Sequence, residues 1–211
     1  MVYNQTKGAL TMDETGLANL PKQVSDYYEK GLEAVKRENF GYAIELFSAA
    51  LALKQDFAEA RFYLWLSLWE QRRHHPNIFK LISGKILGFI SMMGGMSLQK
   101  AGKTWEAIYQ FEKAMKADPG NTAVLNAIAD CFLSEGQTLN AIKILEAVPM
   151  VNNNDYKTLK KLAGLYRGME NYEKARAFYK AALQANPNDA DSEHGIKELD
   201  AIKTLRGSFE Q

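Results

Sequence analysis

Cysteine occurs once in the 211 residues, at Cys131. A lone thiol excludes an intramolecular disulfide framework and agrees with a reducing compartment, so a cytoplasmic location is expected. Excess charge is also missing: the formal net charge is +1, which gives no general attraction to nucleic acid or to an anionic membrane. Histidine is scarce. His74 and His75 are adjacent and diverge on a helix, and His194 stands alone. Metal ligands need one face or a paired spacing, so no metal is expected. There is no Gly-x-Ser-x-Gly turn and no Gly-rich phosphate loop followed by Lys-Ser or Lys-Thr, and Ser83-Gly84-Lys85 lacks that context. No catalytic constellation and no cofactor are therefore expected, and the chain does not read as an enzyme. Residues 1–23 contain no apolar stretch of leader length and carry Asp13 and Glu14. They read as a loosely held arm in which Leu10, Leu17 and Leu20 dock weakly.

The most local absence is of acid. Between Glu70 and Glu106 there is no Asp or Glu, while Arg72, Arg73, Lys80, Lys85, Lys100 and Lys103 supply six positive charges. The rest of the chain holds 20 basic and 25 acidic residues, a balance of −5. The same stretch is strongly apolar, with Ile78, Phe79, Leu81, Ile82, Ile86, Leu87, Phe89, Ile90, Met92 and Met93 covering most of a helix surface. A helix apolar nearly all round is expected to be buried in something. Gly84 and Gly88 permit close helix contact, and Gly94 with Gly95 predicts a kink or break. Three readings stay open: an extra helix packed on the rest of the protein, a sticky face for a partner or a second copy of the chain, and a helix on a membrane surface with basic anchors. Spanning is disfavoured, because Asn77 to Met93 would reach only about 25 Å as a helix against a ~30 Å hydrocarbon core.

What the chain does have is self-similarity. Segments beginning at Val24, Ala58, Thr122 and Tyr156 align, and the step from Val24 to Ala58 equals the step from Thr122 to Tyr156. Such a period signals stacked helical hairpins, none of which buries its face alone. The first segment carries Gly31, Ala34, Ala43, Phe47 and Ala50. The third carries Leu125, Ile128, Ala129, Phe132, Ala141, Leu145 and Val148. The fourth carries Leu159, Leu162, Ala163, Tyr166, Ala175, Tyr179, Ala182 and Pro187. The second is split: Arg61, Leu64, Trp65 and Leu68 stand in its front half, and Ala107, Phe111, Ala114 and Pro119 arrive far later than the period demands. Small residues allow close approach and bulky ones fill the grooves. Asp-Pro-Gly-Asn at 118–121 and Asn-Pro-Asn-Asp at 186–189 supply turns. Trp65 takes the place of a small residue, which predicts a rearranged second pair in which Trp65 and Trp69 meet inserted side chains. Cys131, beside Phe132 and Ile128, reads as a small core residue.

This pattern resembles the tetratricopeptide repeat family in spacing and residue type. The resemblance implies an all-α fold, a right-handed superhelical solenoid of helix hairpins with a C-terminal capping helix and an inserted helical segment. The boundaries follow as an arm at 1–23, repeats at 24–57, 58–121 (interrupted at about 73–102), 122–155 and 156–189, a cap at 190–204 and a tail at 205–211. In the family the first helix of each unit lines a concave face. Carried over, the candidate contacts are Tyr28, Phe62, Tyr63, Trp69, Asn126, Asp130, Lys157, Lys160, Lys161 and Arg167. The resemblance thus implies a non-catalytic adaptor that holds a protein or peptide partner in the concave groove, with the basic fourth unit suited to an acidic peptide. Some relatives clamp a terminal carboxylate with a fixed Lys/Asn set. Tyr28, Leu32, Asn126 and Asp130 stand where that set would be, so chaperone-tail recognition is not expected. The alternative function is a peripheral membrane or self-assembling (homo-oligomeric) structural protein that uses the basic apolar segment.

Overall fold

The structure, a computed structural model, describes residues 20–74, 76 and 78–209. Leu10, Leu17, His75 and Asn77 lie outside the described residues. Every regular element among the described residues is a helix, as the sequence predicts. Two compact units result, one through Ala147 and one from Val148. The first holds α1 (Lys22–Lys36), α2 (Phe40–Leu53), α3 (Ala58–His74), α4 (Ile78–Lys100), α5 (Thr104–Ala117), α6 (Thr122–Ser134) and α7 (Thr138–Leu145). The second holds α8 (Val148–Val151), α9 (Tyr156–Gly168), α10 (Tyr172–Ala185) and α11 (Ala190–Phe209).

Four hairpins, α1–α2, α4–α5, α6–α7 and α9–α10, close through one kind of turn. In each, a backbone N–H beyond the first helix reaches back past a full helical turn: Asn39 to Ala34, Lys103 to Leu98, Gln137 to Phe132 and Asn171 to Tyr166, at 2.8–3.0 Å. The preceding residue is left-handed, with φ +56° at Glu38, +72° at Gly102, +72° at Gly136 and +58° at Glu170. This is the geometry that satisfies the orphan carbonyls of a helix end. Side-chain caps then start several of the helices. Asn39, Asn121, Asp155 and Asn171 accept from the backbone N–H groups of Tyr42, Ala123, Thr158 and Lys174.

The acceptors Leu98, Phe132 and Tyr166 recur at the same step that separates the segment starts Thr122 and Tyr156. The segment expected as an insertion therefore contributes the first arm of a hairpin in register with the two that follow. No such turn follows Leu68; α3 runs on to His74. α4 is also one continuous helix, so the chain does not break at Gly94 and Gly95. Gly84, Gly88 and Gly95 serve packing instead. An ideal Cβ on Gly84 would lie 2.3 Å from the Ala117 carbonyl oxygen, and one on Gly95 would lie 2.4 Å from the Phe111 ring. Close approach of α4 to α5 offsets the roughly 1 kcal/mol that each helical glycine loses against alanine.

α3 is the centre of the first unit. Ala58, Ala60, Phe62, Leu64, Trp65 and Leu66 are all fully buried, which spans its whole circumference. On one side, the Tyr28, Phe47, Phe57 and Tyr63 rings interlock with centroids 4.8–6.0 Å apart. On the other, the Arg61 guanidinium pairs with Glu112 at 2.7 Å, donates to the Gln55 carbonyl at 2.7 Å and lies 5.3 Å from the Phe132 ring centre. The Trp65 indole N–H donates to the Pro119 carbonyl at 2.9 Å, and the Trp69 ring lies against Gly120. Both tryptophans thus contact the turn after α5. Cys131 is buried, as read from the sequence.

In the second unit, Asp189 caps α11 by accepting from the N–H and hydroxyl of Ser192. α11 continues to Phe209, beyond the expected end at 204. Gly195 admits the Tyr179 ring, and Leu199 is buried. Two pairs at the exposed edge, Arg176 with Asp200 and Arg167 with Glu198, tie α11 to α10 and α9.

Candidate functional site, a groove in the first unit

Because α3 lies between α2 and α5, it leaves a groove between those two second helices. α2 supplies Ser48, Leu51 and Ala52, with Gln55 just beyond it. α5 supplies Trp105, Ile108, Tyr109, Gln110 and Glu112 on the facing wall. Arg61 and Leu64 of α3 and Leu98 of α4 also line it. The volume is about 750 Å³. Leu51, Leu64 and Ile108 are buried and make an apolar floor. Ser48, Gln55, Glu106, Gln110 and Lys116 give a polar rim. An apolar recess with a few fixed polar groups is the usual composition of a binding pocket.

Two aromatic residues govern access. Tyr109 is 58% exposed, with the Lys113 ammonium 4.5 Å from its ring centre. Trp105 is half-buried and meets the Phe132 ring edge-on at 6.3 Å. Beneath them the Arg61–Glu112 pair is rigidly held, since Arg61 Nε also donates to Glu112 at 2.7 Å. Arg61 Nη1 is buried without a hydrogen-bond partner. Charge-assisted bonds on its other nitrogens offset that desolvation.

The residues expected to form the contact surface are distributed differently. Tyr28, Phe62 and Tyr63 are 1%, 0% and 7% exposed, so their rings belong to the core of the first unit. Trp69 is half-buried over Gly120. Asn126 is half-buried and donates to the Thr122 carbonyl of its own helix, while Asp130 is exposed on α6. In the second unit Lys157 is exposed and Lys161 half-buried. Lys160 is gripped by Asp189 at 2.9 Å and Asp191 at 2.8 Å, and Arg167 pairs with Glu198. Lys160 and Arg167 of α9 therefore meet acids at the cap and along α11. The hydrogen bonds that Lys160 donates to Asp189 first, then to Asp191, raise its pKa. The same contact holds the Asp189 carboxyl below its ordinary value. Lys160 and Arg167 do share a mixed-charge pocket of about 260 Å³ with Tyr179, Asp191, His194 and Glu198.

The groove residues Leu51, Trp105 and Tyr109 lie outside the expected contacts because they stand on second helices, whereas the family resemblance points to first helices. A signal was present. Trp105 and Tyr109 stand one turn apart and outside the small–aromatic–small positions Ala107, Phe111 and Ala114, so their rings must point away from the helix partner.

Comparison with known proteins agrees with this architecture. Tetratricopeptide repeat models match residues 28–75, 98–165 and 157–189. DnaJ homolog subfamily C member 3 of Bos taurus is 29% identical over 109 residues, 50% of this chain and 22% of that protein. Its counterpart in Rattus norvegicus is 27% identical over 133 residues, 61% of this chain and 25% of that protein. The match thus spans about a quarter or less of these relatives. Among solved structures, the first TPR of Spaghetti (RPAP3) bound to HSP90 peptide SRMEEVD has a TM-score of 0.51 at 19% identity, covering 57% of this chain and 95% of that one. The Arabidopsis OM64 TPR domain has a TM-score of 0.50 at 16% identity, covering 56% and 98%. At such identities the likeness concerns the fold alone. Repeated left-handed turns, the small–aromatic register and three family matches converge, and the chain belongs to the tetratricopeptide repeat family.

Proposed function

We propose that the chain is a non-catalytic adaptor and that the groove between α2 and α5 receives an apolar-faced helix or peptide of a protein partner. The single observation that carries this reading is the recess of about 750 Å³ whose floor is apolar and whose rim is polar. Its size suits two or three side chains of a partner segment, and Trp105 with Tyr109 are the residue types that anchor interfaces. The solved relative bound to an HSP90 peptide supports a peptide-binding role for a fold of this kind. Function in such folds resides in the groove side chains, so the partner is set by this lining. Asp130, exposed on α6, adds a polar contact within the first unit, and Lys157 is a separate contact of the second.

The test uses Ser48→Arg and Tyr109→Glu, each on the rim, in affinity capture from the native cell extract. A specific partner should be lost from both variants while melting temperature stays at the wild-type value. Retention of every captured protein by both variants refutes the groove as the binding site.

A further inference from the structure

We propose that the outward face of α4 docks on an anionic lipid bilayer, with the helix lying in the plane of the headgroups. Ile82, Ile86, Phe89, Ile90 and Met93 recur at three- and four-residue steps and so form one stripe. They are 58%, 59%, 64%, 61% and 52% exposed. Single exposed apolar residues are ordinary on a protein surface, but a contiguous row of five marks an interaction site. The row cannot turn inward, because the opposite face of α4, through Gly84, Gly88 and Gly95, is closed against α5. The sequence expectation that this helix would be buried all round thus fails: among its described side chains only the face through Gly84, Gly88 and Gly95 is buried, and Leu87 beyond the stripe is exposed as well.

Charge decides the occupant. Residues 71–105 carry six cations and no acid, in a chain otherwise at −5. Lys85 flanks the stripe and Lys100 prolongs it at its C-terminal end, and both are exposed. Lysine stems can lie along apolar surface while the ammonium groups reach phosphates, which is the arrangement of an interfacial helix. Arg72 is taken up by Asp118 and Arg73 by Glu70, so the charge beside the stripe is that of Lys85 and Lys100, and a second copy of this face would bring the same lysines and no acid against them. An anionic bilayer brings the counter-charge instead. Among the described residues no helix is long and apolar enough to cross a membrane, so α4 lies on the surface rather than through it. From Ile82 to Lys100 it would cover about 27 Å of that surface. The groove between α2 and α5 is a separate feature and the two readings stand independently.

Vesicle flotation with the full chain tests this, using phosphatidylcholine vesicles with and without phosphatidylglycerol. The protein should float with the anionic vesicles and bind neutral ones at least about tenfold more weakly. Ile86→Glu with Phe89→Glu should abolish flotation without lowering the melting temperature, since both side chains face solvent. Lys85→Glu with Lys100→Glu should weaken it and flatten its salt dependence. In a Phe89→Trp variant the added indole should shift to the blue and be quenched by brominated acyl chains. Failure of the wild type to float overturns the proposal; a dimer in sedimentation that the Ile86→Glu/Phe89→Glu variant dissolves would then assign the face to a second copy. Equal binding to neutral vesicles, or flotation that survives the double substitution, overturns it as well.

Discussion

The backbone of Gly95 lies flat against the ring of Phe111, where an ideal Cβ would stand 2.4 Å from Cε1 and 2.5 Å from Cδ1. Gly31 and Phe47 repeat the relationship at the same separation along the chain. Phe111 is fully buried and has no room to retreat. Gly95→Ala is therefore expected to destabilise by about 1–3 kcal/mol through overpacking. Gly94, with nothing within 4 Å of its ideal Cβ, is the control: Gly94→Ala should stabilise by roughly 0.5–1 kcal/mol from helix propensity alone. Urea denaturation of the two variants reads the opposite signs directly.

How much of this was legible follows from the same residues. Ala43, Phe47 and Ala50, or Ala175, Tyr179 and Ala182, announce second helices because the small–aromatic spacing is local to one helix. Gly95 does not read as the counterpart of Gly31 in the sequence, because two glycines inside an apolar run look like a helix breaker when propensity alone is weighed. Only the tertiary approach of α5 reverses that sign. The pairing of Lys160 with Asp189 is not local either: its acids lie 29 and 31 residues away, at the cap and in the first turn of α11, and nothing within the basic run of α9 announces them. The groove escaped because it depends on α3 being central, which no local pattern encodes.

Glu38 closes the α1–α2 turn at φ +56°. A non-glycine residue there bears about 1–2 kcal/mol of steric strain, while glycine loses roughly 0.5–1 kcal/mol in the unfolded chain. Glu38→Gly should thus stabilise by about 0.5–1 kcal/mol. Gly136→Ala, at φ +72° in the corresponding turn, should destabilise by about 1 kcal/mol. Thermal unfolding that moves both variants in one direction would contradict this reading of the turn.

Asp189 sets the acid limit of the second unit. Its hydrogen bonds to Lys160, first, and Ser192 lower its pKa from the ordinary 3.8. A depressed carboxylate contributes stability that is fully present above the ordinary value and is lost as pH falls through the folded one. The raised pKa of Lys160 gives the mirror image, present below the ordinary 10.5 and lost as pH rises through its folded value. Asp189→Asn keeps a capping oxygen but removes the charge, so it should flatten the acid limb while weakening stability only modestly at neutral pH. Asp189→Ala loses the cap too and should lose about 1–2 kcal/mol. Denaturation of the three proteins from neutral pH to about pH 3 checks the order.

Cys131 should be inert in the folded protein. Burial, then the charges of Asp130 and Glu135, push its thiol up to about 11. The thiolate is the reactive form, so alkylation by iodoacetamide at about pH 8 should track global unfolding rather than local exposure. Because the unfolded thiol ionises first as pH rises, stability should fall above its ordinary value of 9.0. Cys131→Ser should remove that slope. Rapid modification in native buffer, without loss of helicity, would contradict the burial.

The Arg61–Glu112 pair joins α3 to α5 under the groove floor, with side-chain exposures of 2% and 15%. Removing Glu112 leaves a guanidinium that still reaches the Gln55 carbonyl and the Phe132 face but has no counter-charge. Glu112→Ala should therefore destabilise by about 3–5 kcal/mol, the penalty of an uncompensated buried ion. Arg61→Met removes that ion and supplies a flexible apolar chain to the same space, so Arg61→Met with Glu112→Leu should lose far less than the single Glu112→Ala variant. The double variant keeps the groove's shape while erasing its charge. A partner held by apolar anchoring on Trp105 and Tyr109 should bind it nearly as well as the wild type, whereas one that draws on the Arg61 guanidinium should lose at least about tenfold in affinity. Calorimetric binding to the double variant, set beside Tyr109→Glu, thus separates the two ways in which this groove can hold its ligand.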